Sequence, residues 1–199
     1  MSETANQQEQ KRKTTPEIAA AAELDDAAKK LAASSKSPRE FVDELVKQGK
    51  FGDAVKFIAH SLPKREGVWW AWSCAKKSVD DPPPKPIQGA LEATEKWISQ
   101  PNDENARAAR ERGVEAQTDN PAGCAAMAAF FGGSSLAPPD CPPVPPGEYL
   151  TAKAVGASVV LAAAAKEPER VEERYKAFIT QGAEVAHRIG IWERPPRKE

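Results

Sequence analysis

Side chains able to do chemistry near neutral pH are few and scattered. The chain has two histidines, His60 and His187, and three cysteines, Cys74, Cys124 and Cys141. Imidazole titrates in the physiological range, so each histidine is a candidate general base or metal ligand. His60 adjoins Ser61, but side chains one residue apart on a helix diverge, so the pair implies no activated hydroxyl. His187 falls off the apolar stripe of its segment, and neither histidine has a Cys, Asp or Glu at ligand spacing. The cysteines are odd in number and far apart, which makes neither a disulfide ladder nor a paired-thiol metal site. Asp80-Asp81 runs into Pro82-Pro83-Pro84, where carboxylates cap or solvate a helix end. Gly132-Gly133-Ser134-Ser135 follows a helical segment, whereas a phosphate loop precedes the helix whose amides face the anion. The reading therefore assigns no catalytic residue, no cofactor and no metal.

Aromatic and proline residues are the more informative features. Val68, Ala71, Trp72, Ala75 and Val79 share one face of a helix, with Trp69 on its flank and Trp70 on roughly the opposite side. Trp70 must be covered by a second layer of protein, with the proline-rich segment as the available cover, or serve as an exposed anchor for a partner. That segment, Ser134 to Gly147, contains Pro138, Pro139, Pro142, Pro143, Pro145 and Pro146, so it is neither helix nor central strand. Polyproline-like wrapping is expected, with Leu136 and Val144 pinning it to the helices. Two Pro-x-x-Pro matches lie within it but lack the adjoining basic residues of such ligands, which favours an intramolecular role. The candidate partner-binding set is Trp69, Trp70, Leu136, Pro138, Pro139, Val144 and Tyr149.

Bulk composition bounds the partners. Lysine and arginine number 28 against 29 acidic residues, so the positive excess of nucleic-acid binders is missing. Lys11-Arg12-Lys13 is a short run in a polar tail beside Glu9 and reads as solvated. The most apolar stretch, Leu150 to Ala165, is about 16 residues, mostly alanine, and holds Lys153, short of the roughly 20 needed to span a bilayer. No apolar leader follows Met1, and a reducing cytoplasm is the expected location.

The elements that must position these residues are helices. Alanine dominates the apolar fraction, which favours closely spaced helices over a thick sheet core. Phe51, Ala54, Val55, Ile58, Ala59 and Leu62 follow the spacing of a core-facing helix. Ser37-Pro38-Arg39-Glu40 is a capping box opening the helix before it, and Gly49 supplies the left-handed stop between the two. Further helices are expected over 65–79, 86–99, 102–117 (a solvated charged face), 121–131, 149–165 (apolar all round, so central) and from Pro168 to Ile189. The fold class is all-α, an irregular array or orthogonal bundle of about 8–9 short helices with the proline-rich loop packed across it. Residues 1–15 are expected as a disordered polar tail, 16–36 as a loosely docked helix, 37–192 as one helical domain and 193–199 as a charged tail.

Several segments together carry a resemblance: Ala54-Val55-Lys56-Phe57-Ile58-Ala59-His60-Ser61-Leu62-Pro63, Gly67-Val68-Trp69-Trp70-Ala71, Ser135-Leu136-Ala137-Pro138-Pro139, and Val144-Pro145-Pro146 with Tyr149-Leu150-Thr151-Ala152-Lys153-Ala154-Val155. The combination is similar to a bacterial family known only as a domain of unknown function, over about residues 38 to 185. The resemblance implies no catalytic residues. It does imply an accessory or adaptor role near a type VI secretion apparatus. The expected function is thus a non-enzymatic helical protein-interaction module that binds another protein, without nucleic acid or membrane. Two alternatives stay open. One is an enzyme or small-ligand binder with a site assembled between helices from Arg65, His60 or Glu66; the other is a self-associating structural subunit.

Overall fold

The computed structural model describes residues 13–192. Among them ten α helices and one 3-10 turn follow in order, with no strand. The chain is therefore all-α. Of the tails expected at 1–15 and 193–199, residues 1–12 and 193–199 lie outside the described residues.

The alanine-rich segment expected as one loosely docked helix is instead two helices that bury their apolar side chains. They are α1 (Thr15–Ala21) and α2 (Asp26–Ser34). Glu23 takes a left-handed φ of 54° between them, and the Asp25 carboxylate caps α2 by accepting from Ala28 N at 2.7 Å. Ile18, Ala19, Ala22 and Leu24 join the core, and α1 packs on α4 (Phe51–Ser61). Leu24 lies in the link between the two helices and is buried there, so it docks the segment without belonging to a helix face. The polar tail also ends earlier than expected. Thr14 and Glu17 form a complete capping box, with Thr14 N donating to the Glu17 carboxylate at 2.7 Å.

Helix α3 (Pro38–Lys47) and α4 form the expected hairpin, and Gly49 between them has φ 71°. The capping box is only half made: Ser37 accepts from Glu40 N at 3.1 Å, but Glu40 receives the amide of Lys36. The chain continues through α5 (Lys64–Ser78), α6 (Lys85–Ser99), α7 (Asp103–Ala116), α8 (Pro121–Gly132) and α9 (Leu150–Ala164). A 3-10 turn at Pro168–Arg170 then leads into α10 (Val171–Arg188).

Helix α9 packs on α4, α5, α8 and α10, which is why it is apolar on nearly every side. Its small residues let neighbours approach: Gly156, Ala162 and Ala163 are buried. Helix α7 differs from its expected solvated character. Asp103 and Glu111 are exposed, yet Ala106, Ala109, Gly113 and Ala116 form a buried stripe against α6 and α8. A Cβ at Gly113 would lie 3.1 Å from Ala126 Cβ and 3.3 Å from Gly123 O, so α7 and α8 cross in tight contact there.

The proline-rich loop is hung on polar side chains more than on its hydrophobes. Ser135 is buried, and its Oγ accepts from Ala137 N at 3.1 Å and Val144 N at 3.0 Å. Leu136 N donates to Val144 O at 2.7 Å, and the Arg107 guanidinium donates to Ala137 O at 2.6 Å. Leu136 is half-buried, but Val144 is 51 % exposed and does not pin the segment. No helix among the described residues is long and apolar enough to cross a membrane.

Candidate functional site

The expected partner-binding residues separate into four places. Trp70 goes inside: its side chain is 0 % exposed and Nε1 donates to Phe178 O of α10 at 3.0 Å. The second layer over Trp70 is therefore α10, not the proline-rich loop, and Trp70 is removed from any docking surface. Leu136, Pro138, Pro139 and Val144 belong to the loop held by Ser135 and Arg107, beside α7. Pro138 and Pro139 are exposed there. Tyr149 sits against His60, with ring centroids 5.5 Å apart. Of the expected residues on the tryptophan helix, Trp69 is the one left half-buried at the surface, with a cleft beside it.

That cleft, about 240 Å³, is walled by Trp69 of α5, Ile98 of α6 and Val185 and Ile189 at the end of α10. Arg65, Glu66 and Arg188 form its rim. Arg65 Nε donates to Ile98 O at 2.7 Å, closing the end of α6 and fixing the guanidinium at the edge. Ile189 is 39 % exposed, a large apolar side chain left open to solvent. Trp72, the neighbouring indole, instead donates to Leu91 O at 3.1 Å and belongs to the α5–α6 contact.

A second cavity, about 160 Å³, opens on another side of α5 and shares no lining residue with the first. His60 on the last turn of α4, Lys64 on the first turn of α5, Tyr149, Thr151 and Ala152 at the start of α9, and Lys13 line it. His60 Nδ1 lies 2.8 Å from Lys56 O, a carbonyl that only accepts, so Nδ1 carries the proton and Nε2 is the bare acceptor. Burial lowers the pKa of His60, with Lys153 and Lys13 adding in the same direction and the Lys56 carbonyl and Glu23 opposing. Its Nε2 and the buried Thr151 Oγ1 have no hydrogen-bond partner. Lys13 reaches across the mouth, donating to Glu148 at 2.8 Å and to Tyr149 Oη at 3.2 Å. Its pKa is raised, chiefly by the Glu148 bond.

Sequence reasoning named His60, Arg65 and Glu66 as residues for a site between helices. The structure puts His60 in one cavity and the other two at the other. It missed Thr151 and Lys13. The legible signal for Thr151 was the missing cap: Glu148-Tyr149 offers α9 no Ser, Thr, Asp or Asn at the cap position, so the α9 amides lack a side-chain partner. Lys13 had no such signal, because its neighbours are distant in sequence.

Among the described residues no cluster of three or more His, Cys, Asp or Glu that could hold a metal ion occurs. Cys74 is buried and its thiol pKa is pushed up by desolvation, so it is no nucleophile at neutral pH. No curated protein and no solved structure matches the chain. The model of one protein family does, over residues 41–186, close to the span of the resemblance read from the motifs. The chain belongs to DUF6931, a family of unknown function.

Proposed function

We propose that this protein is a non-enzymatic helical interaction module that docks a partner polypeptide in the Trp69 cleft. The partner inserts an apolar side chain against Trp69, Ile98 and Ile189, and its flanking carboxylates meet Arg65 and Arg188. The observation that supports this reading best is that three helices converge to leave a tryptophan and an isoleucine at the surface between two arginines. Tryptophan and arginine are the residue types most enriched at binding hot spots. The cleft is also smaller than a typical small-molecule site of roughly 300–1,000 Å³.

The family resemblance implies an accessory role beside a type VI-like secretion apparatus, so its components are the first partners to try. The test is co-purification with wild type, Trp69→Ala and Arg188→Glu, with helical content measured for each. A partner held by wild type and lost by both folded variants supports docking here. Equal retention by all three rejects the cleft as the docking site.

A further inference from the structure

The cavity between His60 and the start of α9 has the chemistry of an anion site. Two helices begin at it, α5 at Pro63 and α9 at Tyr149, and neither has a side-chain cap. Each helix start carries roughly half a positive charge on its unbonded amides. At α9, Leu150 N donates to Gly147 O and Lys153 N to Tyr149 O. Among the described residues no backbone partner falls to the amides of Thr151 and Ala152, which line the cavity. Lysines 13 and 64 line it as well, against the single carboxylate of Glu148, which Lys13 already engages.

Helix starts and lysines alone would make a solvated corner. Thr151 makes the difference. It is 3 % exposed, its Oγ1 has no partner, and it lines the same cavity as the bare Nε2 of His60. A buried hydroxyl without a hydrogen bond keeps the desolvation penalty of an unmade bond, which a bound ligand removes. We propose that this cavity binds a small oxyanion, the phosphate or carboxylate group of a low-molecular-weight ligand, through Thr151 Oγ1, the first amides of α9, Lys64 and His60.

The volume of about 160 Å³ accommodates such a group with a few further atoms. Thr151 donates its hydroxyl proton to one oxygen. His60 Nε2 either accepts a hydrogen bond from a protonated oxygen of the oxyanion or takes up a proton and donates. The anion adds a negative charge among Lys13, Lys56, Lys153, Glu23 and Tyr149, the groups facing the ring, and so favours the imidazolium.

With two histidines in the chain, imidazole proton resonances give a local readout and an internal control. Full-length protein is titrated with inorganic phosphate and separately with acetate, at fixed pH and ionic strength balanced with chloride. The expected result is a saturable shift of His60 with at least one of them, a higher His60 pKa in the bound form, and a silent His187. Phosphate alone marks a tetrahedral group, acetate alone a planar one. Thr151→Val should weaken binding roughly tenfold while Thr151→Ser retains it. Lys64→Gln should weaken it severalfold. No saturable His60 shift with either ion, parallel movement of His187, or equal affinity in Thr151→Val and Lys64→Gln would overturn the proposal.

Discussion

Trp70 and Phe178 are 108 residues apart in sequence, and the indole Nε1 of the first donates to the backbone oxygen of the second at 3.0 Å inside the bundle. The ring lies so close to α10 that a Cβ added at Gly182 would stand 2.7 Å from Trp70 Cε2 and 2.8 Å from Ile58 Cγ2. Helices α4, α5 and α10 meet at this one glycine. Trp70→Ala should cost about 3–5 kcal/mol in a denaturant titration, as expected for emptying a buried aromatic site. Gly182→Ala should cost about 1–3 kcal/mol by overpacking the same contact. A Trp70→Ala variant as stable as wild type would contradict this packing.

Trp69, its neighbour, should behave oppositely. It is half-buried at the cleft, so Trp69→Ala should cost less stability than Trp70→Ala in the same titration. The loss should fall on partner capture. Identical stability losses for the two tryptophans would mean that Trp69 is as much core as Trp70.

Ser135 holds the proline-rich loop through two backbone amides, those of Ala137 and Val144. Ser135→Ala leaves both without that acceptor and should cost about 1–3 kcal/mol. Amide exchange at these two positions should rise well above the rest of the chain. Unchanged exchange would show that Arg107 and Leu136 suffice to hold the loop.

His60 should make stability fall on the acidic side of neutrality. Its folded pKa lies below the ordinary histidine value, so the unfolded chain binds the proton first as pH drops. Its contribution is fully present above the unfolded pKa of about 6.5 and is lost as pH falls through the lowered folded value. His60→Gln should flatten the stability profile in that window. A wild-type profile already flat there would refute the burial argument.

Thiol labelling checks the burial of the cysteines. Cys74 and Cys124 are buried, with Cys124 Sγ donating to Thr118 O at 3.1 Å, while Cys141 is exposed in the proline-rich loop. Native protein should react rapidly at Cys141 alone and at all three cysteines in denaturant. Fast native labelling of Cys74 would require α5 to open.

The local pattern of the chain by itself determined most of the helices, though not the break at Glu23 that separates α1 from α2. Stripes such as Phe51 to Leu62 select helix over strand because their 3.6-residue period aligns one apolar face, and Gly49 stops a helix because it takes φ 71° without strain. Pro121 and Asn120 likewise mark the start of α8, where Asn120 accepts from Gly123 N at 2.9 Å. Only the tertiary structure decided which layer covers which face. Trp70, projecting from the far side of its helix, suits either solvent or a neighbour, and α10 arrives from 108 residues away to bury it. The same holds for His60, Thr151 and Lys13, which share a cavity although nothing in their spacing relates them. Helix formation depends on residues three or four apart. Burial and site assembly depend on which distant helices pack together, and alanine-rich faces that fit many neighbours carry little record of that choice.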